Sequence, residues 1–119
     1  MLIAQPLKSN GDFRRVYARG KSYQDPALVT IVLKNRAGLC RFGITTGKKI
    51  GGAVQRNRAR RIIRAAFSEY DKRIRPGFDI VFIARSRTCR LKSTDISAVM
   101  HKHLLAAGLL LKDAKDNDS

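Results

Sequence analysis

The chain has 119 residues, 44% of them hydrophobic, so its size allows one folded domain and its composition argues against intrinsic disorder. Its 25 lysines and arginines outnumber 9 acids and give a formal charge of +16, which indicates a polyanionic partner, with nucleic acid favoured over an anionic membrane surface. No apolar stretch resembles a signal peptide or is long enough to span a bilayer, and we expect a cytoplasmic protein.

The positive charge is concentrated in the first half of the chain. Between Phe13 and Arg64 the sequence contains many lysines and arginines, and the only acid is Asp25. A merely solvated surface would intersperse both signs. This half is therefore predicted to carry the binding surface.

A short helix is predicted near the start of the chain. Ser9, with Asp12 three residues later, resembles a capping box, and Gly20 ends the helix. Its apolar face has helical spacing and consists of Phe13, Val16 and Tyr17. These side chains either pack the helix onto a sheet or, if exposed, offer stacking platforms to single-stranded RNA. Basic neighbours favour a phosphate-binding cleft at this place: Arg14, Arg15, Arg19 and Lys21.

Strands are predicted to follow this helix. A strand around Lys21–Tyr23 has weak support, whereas the apolar and β-branched run Ala27–Lys34 is typical of a strand. After a turn at 35–38, Leu39–Thr46 resumes strand character, with side chains that alternate between two faces. We expect Ala27–Lys34 and Leu39–Thr46 to pair as a hairpin.

A long helix is predicted from about Ala53 to Tyr70, and one of its faces is strongly basic. Its apolar stripe comprises Ala59, Ile62, Ile63, Ala66, Phe67 and Tyr70. The opposite side and its flanks carry Asn57, Arg58, Arg60, Arg61 and Arg64, and Arg56 at the first turn can reach outward. Arginine binds phosphate bidentately and stacks on bases, so this face is predicted to bind nucleic acid.

Two other interpretations of this helix have less support. A merely solvated helix would show Glu–Lys pairs, yet no acid occurs between Asp25 and Glu69. A membrane-surface helix would display Trp, Leu and Phe; this helix lacks that display, and its apolar stripe is needed for the domain core.

The glycines ahead of the helix allow two interpretations. Gly51 and Gly52 either bring the first amides of the helix to a phosphate or form a plain turn, and no P-loop pattern is present.

The second half of the chain adds one strand and one helix. Phe78–Ala84 is the strongest strand pattern, and Ser93 or Thr94 is predicted to cap the last helix. The buried stripe of that helix is Ile96, Val99, Met100, His103 and Leu104. The elements predict a single α+β domain, with a core at about 9–108 and a mobile polar tail at 109–119.

The sequence does not predict catalysis or metal binding by the protein itself. The acids in and around the predicted elements are scattered and form no motif for catalytic ions: Asp12, Asp25, Glu69 and Asp79. His101 and His103 would stand about 200° apart around a helix, which is poor chelating geometry. Cys40 and Cys89 lie beside apolar residues, and we expect small, reduced, buried thiols.

Three blocks of the sequence resemble the signature of the bacterial ribonuclease P protein family. The most specific block is Gly43–Phe67, in which an Arg-Asn-Arg core at 56–58 is followed by the basic residues Arg60, Arg61 and Arg64. The other two blocks are Asp12–Gly20 and Asp79–Arg85. The three occur in the family's order and spacing and together cover nearly the whole predicted domain.

The resemblance implies an α-β-β-β-α-β-α fold, which includes the weakly supported early strand. It also implies an uncommon left-handed crossover between two parallel strands, against the usual rule. Two positions depart from the family pattern: Gly47 stands where serine is common, and Ser86 stands where a basic residue is frequent, although Arg87 could substitute for it.

The resemblance further implies the protein subunit of ribonuclease P, a ribonucleoprotein that removes the 5′ leader from precursor tRNA. Its partners would be the catalytic RNA and precursor tRNA, and neither DNA, a membrane nor a second protein copy is expected. Catalysis would belong to the RNA, with Mg²⁺ held mainly by the RNA and the substrate, and the protein alone would be inactive. The alternatives are a ribosomal-type structural RNA-binding protein and, less favoured, an autonomous protein nuclease.

The family motif assigns two sets of binding residues in this sequence. The set that would face the RNA subunit is Arg56, Asn57, Arg58, Arg60, Arg61 and Arg64. The set that would line the path of the precursor-tRNA leader is Phe13, Tyr17, Lys48, Lys49 and Arg85. No catalytic residue and no metal ligand is assigned.

Overall fold

The computed structural model describes residues 3–111 and shows one mixed sheet with helices on both faces. The strands are β1 (Gln5–Pro6), β2 (Lys21–Asp25), β3 (Leu28–Lys34), β4 (Arg41–Thr45) and β5 (Phe78–Ala84). The helices are α1 (Asn10–Arg19), α2 (Ala53–Ser68) and α3 (Ser93–Ala106). The predicted α+β class and the early strand β2 are confirmed, and the short strand β1 is added at one sheet edge.

The sheet separates two layers of packed side chains. The larger layer lies between the sheet and helices α2 and α3, and it includes the fully buried Phe67, Phe82 and Met100. The smaller layer lies beneath α1, where Val16 is fully buried together with Val81 of β5. Because successive residues of a strand point to opposite faces, Val81 and Phe82 enter different layers.

Helix α1 is bounded by the residues that the sequence indicates. The Ser9 Oγ accepts a hydrogen bond from the backbone N–H of Asp12 at 3.0 Å, so Ser9 is the N-cap. At the other end, a Cβ atom on Gly20 would lie 2.5 Å from Cγ2 of Ile31 and 2.6 Å from the carbonyl oxygen of Val16. A glycine is therefore required where the chain leaves α1 and passes close to β3.

The predicted hairpin between Ala27–Lys34 and Leu39–Thr46 is wrong. The strand order is β1-β4-β5-β3-β2, in which β5 lies between β3 and β4. β5 pairs antiparallel with β3 and parallel with β4, and its side chains are largely buried. The most apolar strand thus takes the central position, where helices cover both of its faces.

The parallel neighbours β4 and β5 are joined through α2, which is the crossover unit that the family resemblance implies. The loop after β3 consequently carries the chain past the position of β5 to reach β4. The hand of this crossover stays a prediction.

The cap of α3 differs from the prediction. The N-cap is Lys92, not Ser93 or Thr94. The backbone N–H of Lys92 donates to the carboxylate of Asp95 at 3.0 Å. An acidic side chain in the first turn therefore caps this helix from within, and its negative charge also suits the helix N-terminus.

The folded core is longer than the predicted range 9–108. Ala4 and Leu7 are buried before that range, and Leu109 is fully buried after it. The apolar side chains at both ends are buried in the core layers, which removes them from water. The predicted tail therefore begins too early, and its remaining residues, 112–119, lie outside the described residues.

Candidate nucleic-acid interface

The outer face of α2 presents arginine side chains without acidic partners. The apolar stripe of the helix packs against the sheet through the buried residues Ala59, Ile63, Ala66 and Phe67. The opposite side is exposed at Asn57, Arg58, Arg60, Arg61 and Arg64, and Arg56 is half-buried. Within residues 3–111, the ion pairs all join Arg15 or Arg41 to Asp12 or Asp79, so none involves an arginine of α2. The face is exposed and cationic, as the helical spacing predicts.

A groove runs between α1 and the end of β4. Its volume is about 680 Å³, and it is lined by Asn10, Phe13, Arg14, Tyr17, Ile44 and Thr45. Tyr17 is 42% exposed, and its hydroxyl shares a hydrogen bond with Oγ1 of Thr45. Val16 on the same helix is fully buried. The apolar helix face is therefore divided, because Val16 packs the helix onto the sheet while Tyr17 borders solvent. We call this feature the α1 groove.

Phe13 is intermediate in exposure between Val16 and Tyr17, and its ring rests on Gly43. A Cβ atom on Gly43 would lie 2.4 Å from Cζ and 2.5 Å from Cε1 of Phe13. The ring centroids of Phe13 and Tyr17 are 6.4 Å apart, and the ring planes differ by 46°. Phe13 thus packs partly into the layer beneath α1 and partly against the α1 groove.

The three other predicted leader residues lie beyond the ends of two neighbouring strands. Since β4 and β5 are parallel and paired, the segments that follow them leave the sheet at the same edge. Lys48 and Lys49 are exposed in a short 3-10 turn after β4. Arg85 follows β5, is exposed, and its backbone N–H donates to Oγ1 of Thr88 at 2.9 Å. These three basic residues form a rim beyond the carboxyl ends of β4 and β5 and do not line the α1 groove itself.

The glycines before α2 serve the turn. Gly51 has a φ of 136°, a conformation that side chains rarely adopt. Gly52 is the N-cap of α2, and no side chain caps the helix there. The plain-turn interpretation therefore accounts for Gly51.

Two adjacent threonines that sequence reasoning missed connect the two surfaces. Thr45 is the last residue of β4, and Thr46 follows it. The Thr45 hydroxyl bonds to Tyr17 of α1, and the Thr46 Oγ1 accepts a hydrogen bond from Nη2 of Arg60 at 3.1 Å. The end of β4 therefore lies between the α1 groove and the arginine face of α2. No local pattern marks these threonines, because their partners are distant in sequence.

The titratable groups away from this interface are structural. Burial raises the pKa of the Cys40 thiol to about 12, so the thiol stays protonated. His103 is buried, its Nδ1 lies 2.8 Å from Oγ1 of Thr30, and burial lowers its pKa. In the described part of the chain, no three His, Cys, Asp or Glu residues gather as metal ligands. No helix in that part is both long and apolar enough to cross a membrane.

Comparison with known proteins gives one consistent result. The family model described as Ribonuclease P matches residues 2–108. The ribonuclease P protein component of Clostridioides difficile (strain 630) is 47% identical over 94 residues, which cover 76% of this chain and 82% of that relative.

Solved structures agree with the sequence comparisons. The RNase P protein of Staphylococcus aureus has a TM-score of 0.79 and 31% identity, covering 90% of this chain and 98% of that one. The RNase P protein of Thermotoga maritima has a TM-score of 0.74 and 30% identity, covering 84% of this chain and 94% of that one. The similarity therefore extends over the fold as well as the basic motif.

Proposed function

This chain belongs to the ribonuclease P protein family, and from that premise we propose that its α2 face binds the catalytic RNA while its α1 groove binds the precursor-tRNA leader. As a ribonuclease P subunit it acts in the 5′ maturation of tRNA and has the ribonuclease P RNA as its partner. The alternative of a ribosomal structural protein is set aside, because the family match covers residues 2–108.

The observation that carries the proposal is the exposed row of arginines on α2 without acidic partners in the described residues. Unpaired cations on one helix face repel one another, and a phosphate backbone relieves that repulsion while releasing counterions. The guanidinium fork also matches phosphate oxygens bidentately. The packing of the opposite helix face on the sheet sets the side of α2 from which these groups project.

The α1 groove suits a single strand of RNA. Tyr17 offers an exposed ring for stacking, and Arg14 lines the same groove and supplies a cation for the backbone. The basic rim of Lys48, Lys49 and Arg85 extends the positive field beyond the strand ends. Leader binding by these groups would raise the affinity for precursor tRNA over mature tRNA.

The chemical step belongs to the RNA in this proposal. The described residues offer no gathered carboxylates that fit a pair of catalytic Mg²⁺ ions. Mg²⁺ would therefore be held mainly by the RNA subunit and the substrate. The contribution of the protein would be to bind and orient the leader.

The test uses this chain with its own RNA subunit. We expect the protein alone to leave precursor tRNA intact, and the assembled holoenzyme to bind leader-bearing tRNA more tightly than mature tRNA. Changing Tyr17→Ala, alone and with Phe13→Ala, should shrink that difference, whereas Leu105→Ala on the exposed side of α3 should not. Cleavage by RNA-free protein, or equal affinity with and without a leader in the unaltered holoenzyme, would refute the proposal.

A further inference from the structure

A second groove continues the α1 groove toward the N-terminal segment. Its volume is about 260 Å³, and it shares Phe13 and Ile44 with the α1 groove. The rest of its lining consists of Pro6, Leu7, Phe42, Gly43, Arg60 and Arg64. Because Phe13 and Ile44 line both, the two grooves adjoin and together reach from α1 across β4 to α2; we call the two together the channel. We call the second part the β4 groove.

The β4 groove exists because the N-terminal strand covers only the start of β4. β1 pairs with β4 at Gln5 and Pro6 alone, opposite Arg41 and Phe42. The backbone N–H of Leu7 donates to the carbonyl of Phe42 at 2.9 Å, and this is the last backbone bond from that segment to β4 among the described residues. The outer edge of β4 is therefore open beyond Phe42. Peptide groups of an open edge are available to a ligand.

The walls of the β4 groove differ in chemistry. Leu7 and Phe42 are buried, and together with the Phe13 ring they give an apolar floor. On the opposite wall Arg60 and Arg64 stand one helical turn apart, so their side chains lie on the same side of α2. Neither arginine has an acidic partner within residues 3–111.

Arg60 is held in place without losing its capacity to bind an anion. One of its terminal nitrogens donates to Thr46 Oγ1 at 3.1 Å, while a guanidinium carries five N–H donors in all. The remaining donors can serve a phosphate. An apolar floor for a base or ribose beside two guanidinium groups for phosphates matches the chemistry of single-stranded RNA.

We propose that the precursor-tRNA leader continues from the α1 groove through the β4 groove, so that Arg60 and Arg64 bind leader phosphates as well as facing the RNA subunit. This inference rests on the proposed function, because it extends the leader path described there. It divides the arginines of α2 into two groups. Arg60 and Arg64 line the leader channel, whereas Arg58 lines neither groove.

The experiment measures how affinity depends on leader length. Holoenzyme, formed with saturating protein, is titrated with non-cleavable precursor tRNAs that share one tRNA body and carry leaders of increasing length, starting from none. For the unaltered protein, affinity should rise with leader length and then level off. With Arg60→Gln and Arg64→Gln together, affinity should level off at a shorter leader, with a loss of about tenfold on the longest one. Arg36→Gln together with Arg75→Gln removes the same charge from exposed arginines outside both grooves and is the matched control, which should keep the unaltered length dependence.

The outcomes distinguish a failure of the proposed function from a failure of the β4-groove inference. A flat curve for the unaltered protein would refute the proposed function itself. A length-dependent curve that the double variant leaves unchanged, or lowers equally at every length including none, would overturn the β4-groove inference alone. Photocrosslinking gives a second readout: a reactive base far along the leader should label the peptide that contains Arg60 and Arg64, and labelling confined to α1 would also overturn the inference.

Discussion

Arg41 and Asp79 form a bidentate ion pair between the parallel strands β4 and β5. Arg41 Nε lies 2.8 Å from Oδ1 of Asp79, and Arg41 Nη2 lies 2.8 Å from Oδ2. Asp79 is fully buried, and its Oδ1 also accepts a hydrogen bond from Nδ2 of Asn35 at 2.7 Å. The two residues stand opposite each other in the sheet, so the pair fixes the register of the strand that ends at the interface.

Removing the cation of this pair should destabilise the fold. In Arg41→Met the buried carboxylate of Asp79 would keep only Asn35 and the more distant Arg15, at 3.5 Å. We expect the free energy of unfolding to fall by about 3 kcal/mol, measured by urea denaturation, because a buried charge is left poorly compensated. Arg36→Met changes an exposed arginine of the preceding loop and is the control. Equal stability of the two variants would contradict the structural role of the pair.

A methyl group at Gly43 should disturb the channel wall. In Gly43→Ala the new Cβ would clash with the Phe13 ring, at 2.4 Å from Cζ, and would come within 3.3 Å of Cδ1 of Leu7. We expect a loss of about 1–3 kcal/mol in the free energy of unfolding and weaker binding of leader-bearing tRNA. Gly47→Ala, where a Cβ meets no atom within 4 Å, should change neither quantity.

Removal of the ring should relieve that clash. The double change Gly43→Ala with Phe13→Ala should cost less stability than the sum of the two single changes, because the added methyl group then occupies space that the ring has left. Thermal or urea unfolding of the four proteins measures this coupling. Strict additivity would show that Phe13 does not rest on Gly43.

The local elements were predictable because their patterns are local. Ser9 and Asp12 lie within one helical turn, so the cap of α1 follows from spacing alone. Phe78–Ala84 is found as a strand with the predicted bounds, and four residues of the predicted apolar stripe of α2 are buried: Ala59, Ile63, Ala66 and Phe67. The exposed arginines lie on the opposite face of the helix, as the same period predicts.

The pairing of strands and the continuity of the channel were not predictable in this way. The placement of β5 between β3 and β4 depends on which strand best fills the centre of the sheet, and neighbours in sequence give no information on that choice. The bonds from Thr45 to Tyr17 and from Thr46 to Arg60 likewise join residues far apart in the chain. Leu109 falls in the predicted tail, yet it is buried in the core, and its carbonyl accepts a hydrogen bond from the backbone N–H of Arg75, a residue distant in sequence.

Arg61 should contribute to assembly through a salt-dependent contact. It is exposed on the outer face of α2 and has no acidic partner within residues 3–111. For Arg61→Gln we expect weaker binding to the RNA subunit and a slope of log affinity against log salt that is shallower by about 1. Arg36→Gln removes the same charge from the loop that enters β4 at its other end, and it should leave the slope unchanged. Parallel slopes for Arg61→Gln and the unaltered protein would exclude an RNA contact at Arg61.

The pH dependence of stability should depend on His103. Burial lowers the pKa of His103 below its ordinary value of 6.5; Lys102 lowers it further, and Asp25 opposes the shift. The folded chain therefore resists a proton that the unfolded chain accepts, so this contribution to stability is present above about pH 6.5 and declines as the pH falls below it. The slope attributable to one such group is at most about 1.4 kcal/mol per pH unit.

Two matched histidine variants isolate this effect. His103→Gln keeps a polar side chain near Oγ1 of Thr30 but cannot titrate, so its free energy of unfolding should vary less between about pH 8 and about pH 5 than that of the unaltered protein. His101→Gln changes an exposed histidine of the same helix and should retain the full slope. The difference between the urea-denaturation profiles of the two variants reports His103. If His103→Gln and His101→Gln give the same profile, the buried histidine does not set the acid sensitivity of the fold.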